Sequence, residues 1–344
     1  EEQGHFFPVF HTTTDTEIIL YLVARSADVE KGIRQAMGMI KGAYSLLFLT
    51  PESVIAVRDP QGFRPLALGK KGSAWAVASE TCAFDLSGIE YQRDVEPGEM
   101  VVIDRNGPRS ERFVPKKDVK PAHCIFEHVY FARPDSRVHG DMVHEVRWKL
   151  GQQLAREHPV EADLVTPIPD SGLFAAMGYA EEAKLPYRQA YIRNHYVGRT
   201  FIKPSQDQRT SSVEIKLAAV KEIVKGKRVV VVDDSVIRGT TSKSRIRLLR
   251  DAGAKEVHLR VSCPPTANPC YYGVDFPSRR ELIAADKSIE EIRRHIGVDT
   301  LGYLSLDGLL SAGSHPKENY CTACWTGRYA VPPVDVMEKD RHCQ

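Results

Sequence analysis

The hydrophobic pattern of this chain is clearest around a run of four valines at residues 229–232. A run without alternation is typical of a strand that is buried on both faces, as in a parallel sheet. The run ends at two carboxylates, Asp233 and Asp234, and a short polar stretch then leads to helical spacing at Ile246 and Leu249. The pattern therefore predicts a buried strand, a polar loop and a helix in succession.

Upstream of this run the pattern is different. Residues 14–17 form a capping-box sequence that predicts a helix, and residues 29–40 have amphipathic helical spacing. Short apolar segments separated by Pro and Gly then predict strands, and Asn106-Gly107 is a hairpin-type turn. The predicted strands cover residues 44–49, 54–57, 66–68, 74–78 and 100–103. This half of the chain is expected to be an α+β domain rich in antiparallel strands.

Residues 113–122 are rich in Lys and Pro and are interpreted as a connection between domains. Beyond them strands and helices alternate, which favours a mostly parallel sheet flanked by helices. The predicted strands are residues 164–169, 188–192, 228–233 and 257–261, and residues 213–224 are predicted to be helical. We expect domains at 1–112 and 113–330, followed by a polar C-terminal extension at 331–344.

Composition narrows the class of protein. The chain has 344 residues, 42% hydrophobic and 27% charged, which suits about two globular domains. A formal net charge of +2 gives no reason to expect nucleic acid or membrane binding. No apolar run is long enough to cross a bilayer and no signal-peptide pattern is present, so a cytoplasmic protein is expected. The sequence begins at Glu1 without Met and is expected to be a fragment.

The loop after the valine run has the chemistry of a phosphate site. Backbone N–H groups at a helix start cradle phosphate, and Gly239 lets a ligand approach closely. The carboxylates suit sugar hydroxyls or Mg²⁺ instead. The stretch resembles the phosphoribosyl pyrophosphate (PRPP) signature of type I phosphoribosyltransferases. The residues that this resemblance assigns to PRPP are Asp233, Asp234, Ser235, Val236, Ile237, Arg238, Gly239, Thr240 and Thr241.

Two further stretches are candidates for the same site. The loop Asp170-Ser171-Gly172 follows another predicted strand and should face the same crevice, although an ordinary capped turn explains it equally well in isolation. A basic, Gly-containing stretch includes Arg199 and Lys203 and could close over a polyanion. A solvated basic loop is an equally good interpretation of that stretch.

Seven cysteines without a secretory signal favour a metal site or free thiols over disulfides. Cys321 and Cys324 form a CxxC pair, which alone is compatible with zinc, iron–sulfur or redox chemistry. Cys124 and Cys270 are candidates to complete a four-thiolate site. Cys82 and Cys263 lie in apolar contexts that predict core positions.

Nearly the whole chain resembles the amidophosphoribosyltransferases. The resemblance is carried by the PRPP signature, the Pro-Asp-Ser-Gly loop and several longer stretches, namely residues 14–17, 58–66, 78–84, 127–136 and 198–202. It implies the synthesis of 5-phosphoribosylamine, pyrophosphate and glutamate from PRPP, glutamine and water, the first step of purine biosynthesis. It also implies a homotetramer that is inhibited by purine nucleotides.

The same resemblance implies specific residue roles. Ser171, Asp233 and Asp234 match magnesium-binding positions, and Asp15 matches the glutamine pocket. In the iron–sulfur branch of the family, the [4Fe–4S] ligands match Cys124, Cys270, Cys321 and Cys324. The family's N-terminal cysteine nucleophile and upstream strands have no counterpart, so residues 1–112 correspond to part of an N-terminal-nucleophile glutaminase domain. The sequence as given is therefore expected to use ammonia at most.

Two other functions fit part of the pattern. Another type I phosphoribosyltransferase would share the PRPP signature, but it has no need of the first α+β domain. A non-catalytic regulator that senses PRPP is a second alternative, and the paired carboxylates and the cysteines count against it.

Overall fold

The structure is a computed structural model that describes residues 14–193, 217–276 and 278–333. The first part of the chain has, within residues 14–112 of the structure, two antiparallel sheets and three helices. Its helices are α1 (Asp15–Ala24), α2 (Val29–Met39) and α3 (Cys82–Ser87). Its strands are β1 (Ser45–Leu49), β2 (Val54–Arg58), β3 (Ala67–Lys71), β4 (Ala74–Ala78), β5 (Glu90–Asp94), β6 (Glu99–Asp104) and β7 (Gly107–Arg112).

These strands form a four-stranded sheet with the order β1-β2-β6-β7 and a three-stranded sheet with the order β4-β3-β5. The hairpin predicted at Asn106-Gly107 is present, because Asp104 pairs with Gly107 between β6 and β7. Helix α1 is present, but the Thr14 side chain makes no capping hydrogen bond, so the predicted capping box is not formed. Small apolar cores lie on the sheets, and Leu47 and Leu49 of the edge strand β1 are exposed.

The second part of the chain is built on a four-stranded parallel sheet with the order β11-β14-β15-β16. Its strands are β8 (His123–Cys124), β9 (Arg137–Val138), β10 (Asp141–Met142), β11 (Leu164–Pro167), β12 (Tyr191–Arg193), β13 (Leu217–Ala219), β14 (Arg228–Asp233), β15 (Glu256–Val261), β16 (Thr300–Tyr303) and β17 (Tyr320–Cys321). Its helices are α4 (Val143–Glu157), α5 (Leu173–Ala183), α6 (Lys221–Val224), α7 (Thr240–Asp251), α8 (Ile283–Asp286), α9 (Ile289–Ile296), α10 (Leu306–Leu310) and α11 (Ala323–Thr326).

Short 3₁₀ turns occur at Lys116–Asp118, Arg279–Glu281 and Lys317–Asn319, and Glu127–Phe131 is a π-helix. The valine run lies in β14 between β11 and β15, and all four valines are fully buried. A run without polar positions is what a strand covered on both faces requires. The predicted phosphoribosyltransferase-type parallel sheet is therefore confirmed, with β14 as an inner strand.

Two predicted elements differ from the structure. Residues 217–219, predicted to be helical, form β13, and only Lys221–Val224 is helical in that region. The strand predicted at residues 188–192 is β12, which pairs antiparallel with β13 in a separate ribbon rather than in the parallel sheet. Apolar spacing over so few residues does not distinguish a strand from a helical turn.

The two parts of the chain are in direct contact. The Phe63 ring stacks on Tyr272 with centroids 4.1 Å apart, and Phe63 belongs to the large core around the parallel sheet. The backbone N–H groups of Ala122 and Cys124 donate to the carbonyls of Gln61 and Phe63. The domain limits at residues 112 and 330 remain predictions, since packing is continuous across the first of them. None of the helices that the structure describes is long and apolar enough to cross a membrane.

Candidate active site

A pocket of about 760 Å³ opens at the carboxyl end of the parallel sheet. In sheets of this kind ligands bind at that edge. The lining residues include most of those predicted from the PRPP signature and from the Pro-Asp-Ser-Gly loop. From these two motifs the pocket is lined by Pro169, Asp170, Ser171, Asp233, Asp234, Ser235, Ile237, Arg238, Gly239, Thr240, Thr241 and Ser242. Residues far apart in sequence are thus brought to one crevice.

The two carboxylates at the end of β14 are both buried, with exposed fractions of 2% for Asp233 and 4% for Asp234. Burial and the neighbouring Asp234 raise the pKa of Asp233 well above its usual value, and Arg245 acts in the opposite direction. The Arg245 guanidinium lies 3.6 Å from Asp233 Oδ2. The Ser235 hydroxyl donates to Asp234 Oδ2 at 2.6 Å. Two adjacent buried acids, with Arg245 near Asp233 and Arg147 near Asp234, are suited to bind a further cation or hydroxyl donors.

Helix α7 begins at the edge of the pocket directly after Gly239. Gly239 has φ +77°, a left-handed conformation, and an added Cβ would lie 2.7 Å from Ile283 Cδ1. The sequence needs glycine there for both reasons. The first N–H groups of the helix have no partner within the helix, and the end of the helix carries a partial positive charge. This end of the pocket therefore suits an anion such as phosphate.

The loop after β11 lines the same pocket as the two carboxylates. Gly172 precedes α5, and an added Cβ would lie 2.3 Å from the Val232 carbonyl oxygen, so this position also requires glycine. The Gly172 site is therefore close to β14 rather than part of the pocket lining. Asp170 is exposed and forms an ion pair with Arg193 at 2.9 Å, and both side chains line the pocket. Val236 is buried behind the loop, as its apolar side chain requires.

Three predicted site residues cannot be placed. Arg199 and Lys203 lie outside the described residues, and so does the side chain of Asp15. Several pocket residues were missed by the sequence analysis, among them Arg147, Arg245 and the segment around Phe131. Arg147 and Phe131 lie outside the two recognised motifs. Only the resemblance of residues 127–136 to the family pointed to this segment, without indicating a role.

The four candidate cluster cysteines converge in one region beside the large core. Cys321 of β17 pairs with Cys124 of β8, and Cys324 is the second residue of α11. Burial raises the pKa of Cys324 well above its usual value, and the neighbouring Cys124, Cys321, Cys263 and Cys270 raise it further. Burial also raises the pKa of Cys321 to about 11, with a smaller contribution from Cys270. The thiols are therefore close enough to influence one another.

Cys82 and Cys263 are both buried. Cys263 belongs to the large core, and its thiol donates to the Pro264 carbonyl at 3.3 Å. The Cys82 thiol donates instead to Glu80 Oε2 at 3.8 Å. Across residues 14–193, 217–276 and 278–333, no three His, Cys, Asp or Glu side chains are close enough to hold a single metal ion. Thiolates that bind different corners of an iron–sulfur cubane stand farther apart than ligands of one ion.

Four histidines cluster between the pocket and the first part of the chain. The His123 ring stacks on His139 at 4.4 Å and lies 5.0 Å from His315. Arg58 Nη2 lies 3.1 Å from His139 Nδ1. Burial lowers the pKa of His123 and of His128 to about 4 and lowers the pKa of His139 well below its usual value. The rings of His123, His128 and His139 are therefore neutral near pH 7.

The fold and the pocket define a type I phosphoribosyltransferase joined to a glutamine amidotransferase domain. Residues 142–296 match the phosphoribosyl transferase domain, and residues 2–85 match the glutamine amidotransferase domain. The chain is 51% identical over 334 residues to a chloroplastic amidophosphoribosyltransferase of Glycine max, covering 96% of this chain and 58% of that protein. It is 48% identical over 344 residues to the amidophosphoribosyltransferase of Bacillus subtilis, covering 98% of this chain and 71% of that protein.

A solved structure agrees with these matches. It is the glutamine PRPP amidotransferase from B. subtilis complexed with ADP and GMP, with a TM-score of 0.89 and 48% identity. The match covers 94% of this chain and 72% of that one. The chain belongs to the amidophosphoribosyltransferase family, as the sequence analysis predicted. It spans 58% to 71% of the length of the two curated relatives described above.

Proposed function

We propose that this chain transfers a phosphoribosyl group from PRPP to ammonia. The nitrogen of ammonia attacks C1 of PRPP, the bond from C1 to the pyrophosphate oxygen breaks, and one proton is released. The products are 5-phosphoribosylamine and pyrophosphate. The observation that carries this proposal is the pocket that combines the carboxylates of Asp233 and Asp234 with the start of α7 and the Ser171 loop.

Each part of the pocket has a proposed task. The N–H groups from Gly239 to Thr241 bind the 5-phosphate, with the Ser235 and Thr240 hydroxyls beside them. Asp233 and Asp234 accept hydrogen bonds from the ribose hydroxyls or bind the metal. Asp170 and Ser171 face the pyrophosphate, and Gly172 lets their loop pack closely on β14. Holding PRPP at three places orients C1 for attack, which lowers the entropic part of the barrier.

Magnesium fits the donor set of this pocket. Carboxylate and hydroxyl oxygens are its usual protein ligands, and Asp233, Asp234 and Ser171 supply them. Burial and the neighbouring Asp234 raise the pKa of Asp233, and a divalent cation bound beside it would act in the opposite direction. When bound, Mg²⁺ supplies charge stabilisation for the leaving pyrophosphate.

A [4Fe–4S] cluster fits the cysteine site. Cys124, Cys270, Cys321 and Cys324 are four buried or half-buried thiols in one region with apolar surroundings. Tetrathiolate ligation is the usual environment of such a cluster. When bound, the cluster supplies a covalent connection among β8, the segment at Cys270 and the β17–α11 turn. Its role is proposed to be structural.

The complete enzyme is proposed to use glutamine as the source of ammonia and to catalyse the first step of purine biosynthesis. The amidotransferase match and the relatives' names support this part of the proposal. Inhibition by purine nucleotides is proposed because the B. subtilis structure was solved with ADP and GMP. Assembly into a homotetramer and a cytoplasmic location remain predictions.

The proposal is tested by measuring pyrophosphate release from PRPP with ammonium salts at high pH, where free ammonia is available. We expect release that depends on ammonium, PRPP and Mg²⁺ together. The matched control is Asp251→Asn, which removes an exposed carboxylate at the far end of α7 and should leave the rate unchanged. A folded protein that binds PRPP but releases no pyrophosphate would favour the sensor alternative.

A further inference from the structure

One wall of the pocket is formed by a segment whose backbone is held from two sides. This wall segment comprises residues 126–137, the π-helix and the loop that follows it. Six of its residues line the pocket, namely Phe126, Tyr130, Phe131, Ala132, Arg133 and Pro134. π-Helices are rare and occur frequently at functional sites. What fixes the backbone of this segment therefore bears on the shape of the pocket.

Arg147 of α4 holds the wall segment from the phosphoribosyltransferase side. Its Nε donates to the His128 carbonyl at 2.7 Å. Its Nη2 donates to the carbonyls of Tyr130 and Ala132 at 2.9 and 2.7 Å. Arg147 is only 4% exposed, so water does not substitute for these bonds. One planar guanidinium thus satisfies carbonyls that the end of the π-helix leaves without partners.

Glu80 and Thr81 hold the same segment from the amidotransferase domain. Glu80 Oε2 accepts hydrogen bonds from the backbone N–H of Arg133 at 2.8 Å and from the Ser136 hydroxyl at 2.7 Å. Thr81 Oγ1 accepts one from the backbone N–H of Arg137 at 2.8 Å. Ser136 is fully buried, so its hydroxyl depends on Glu80. Two adjacent side chains of one domain therefore fix the loop that borders the other domain's pocket.

We propose that Glu80 is a positioning residue for the phosphoribosyl pocket, acting together with Arg147 through the wall segment. The inference rests on the proposed function. It adds that phosphoribosyl transfer depends on a residue of the amidotransferase domain, although neither glutamine hydrolysis nor transfer to ammonia requires this by its chemistry. Ammonia-dependent transfer needs no glutamine hydrolysis, yet it should depend on Glu80 of the amidotransferase domain. The affected substrate is PRPP, because Arg133 and Pro134 face the pocket that binds it.

The hydrogen bonds to Glu80 allow its role as an acceptor to be tested separately from its negative charge. Both donors reach the same oxygen, Glu80 Oε2, so the carbonyl oxygen of a glutamine can accept both. Glu80→Gln should therefore preserve the wall segment, and Glu80→Ala should release it. Glu90→Ala is the matched control, since Glu90 is an exposed carboxylate of β5 in the same domain.

The experiment measures the KM for PRPP, kcat and the PRPP dissociation constant with ammonium as the nitrogen source. For Glu80→Ala we expect the KM and the dissociation constant to rise about tenfold, with kcat falling less than about threefold. Glu80→Gln and Glu90→Ala should stay within about twofold of the wild type. Hydrogen exchange at the amides of Arg133 and Arg137 should accelerate in Glu80→Ala alone.

Two further variants test the same inference if Glu80→Ala does not fold. Ser136→Ala removes one donor and should raise the KM for PRPP about threefold. Arg147→Lys cannot reach all three carbonyls and should raise it at least as much as Glu80→Ala, with the exposed Arg156→Lys of the same helix as control. An unchanged KM and dissociation constant in folded Glu80→Ala and Ser136→Ala would overturn the inference. So would a Glu80→Gln variant as impaired as Glu80→Ala.

The test of the proposed function is distinguishable from the test of Glu80. A wild-type protein that releases no pyrophosphate contradicts the proposed function. The dissociation constants and exchange rates of the same variants then still decide whether Glu80 positions the wall segment.

Discussion

The phosphoribosyl pocket and the cysteine site border the same large core but are built in opposite ways. The pocket is open, and its key groups come from consecutive residues that leave one strand and start one helix. The cysteine site is buried, and its thiols come from three separate segments of the chain. The strand–loop–helix part of the pocket is determined locally, although other segments complete the lining. A site made by distant segments depends on the whole fold being formed, so the two should respond differently to substitution.

The largest expected difference concerns the cysteine site. If the proposed cluster is bound, Cys324→Ser should remove it completely, because one ligand of four is lost and the others are held by separate segments. Iron content and visible absorbance of the purified protein are the measurements. Cys263→Ser is the matched control, a buried thiol in the same region that should keep its iron. Retained iron in Cys324→Ser, or equal loss in Cys263→Ser, would contradict the assignment.

The pocket should lose activity without losing the fold. Asp233→Asn and Asp234→Asn should each reduce kcat/KM with ammonium by roughly tenfold to hundredfold, since a charge-assisted contact contributes about 1.5–3 kcal/mol. The melting temperature of Asp233→Asn should not fall, because burial and the neighbouring Asp234 already raise the pKa of this carboxylate and so disfavour its charged form. Thermal unfolding and steady-state kinetics check both parts. Wild-type kinetics in both variants would refute the site assignment.

A third prediction concerns two members of the histidine cluster, His123 beside Cys124 and His128 in the wall segment. The folded-state pKa of each is lowered to about 4 by burial, whereas an unfolded histidine titrates near 6.5. Unfolding therefore takes up protons, and stability present above about pH 6.5 is lost as the pH falls towards 4. The loss should be on the order of 3 kcal/mol for each histidine.

This prediction is measured by denaturant unfolding at pH 7 and pH 4.5. His128→Phe should reduce the difference between the two values, while His295→Gln, a substitution in α9 outside the cluster, should not. Equal pH dependence in the wild type and in His128→Phe would show that this histidine does not carry the effect.

The smallest expected effect is at the phosphate end of the pocket. Gly239→Ala places a side chain at φ +77°, which costs about 1–2 kcal/mol, and brings a Cβ against Ile283. The free energy of unfolding should fall by that amount, and the KM for PRPP should rise several-fold. Gly226→Ala is the control for strain, because it also has positive φ but has open space around its Cβ and lies far from the pocket. A similar KM rise in both variants would argue against a phosphate site at Gly239.

The contrast between adjacent and dispersed residues also explains which features could be predicted from the sequence. Val229 to Val232, the two carboxylates and the following glycine lie next to one another, so pattern and chemistry could be interpreted together. Family resemblance was needed to assign Cys124 and Cys270 with the CxxC pair, because no local signal connects them. The strand β13 was predicted to be helical since its burial depends on pairing with β12, a tertiary contact.

Glu80 and Arg147 show a further limit. In the sequence each is an ordinary charged residue of its own segment. In the structure both form hydrogen bonds with the backbone of the wall segment. Hydrogen bonds from a side chain to distant carbonyl or amide groups leave no pattern in the sequence. The π-helix at Glu127–Phe131 and the strands β5, β7 and β16 were missed for a related reason, since their spacing is too short or too polar to stand out.

The central claim is that ammonia nitrogen is joined to C1 of PRPP in this pocket. The most direct measurement is carbon-13 NMR of the reaction of [1-¹³C]PRPP with ¹⁵N-ammonium and Mg²⁺ at high pH. We expect a product whose C1 signal is split by coupling to ¹⁵N, formed in step with pyrophosphate and formed roughly tenfold to hundredfold more slowly by Asp234→Asn. Pyrophosphate release accompanied only by an unsplit ribose 5-phosphate signal would show that the pocket hydrolyses PRPP, and would contradict the account.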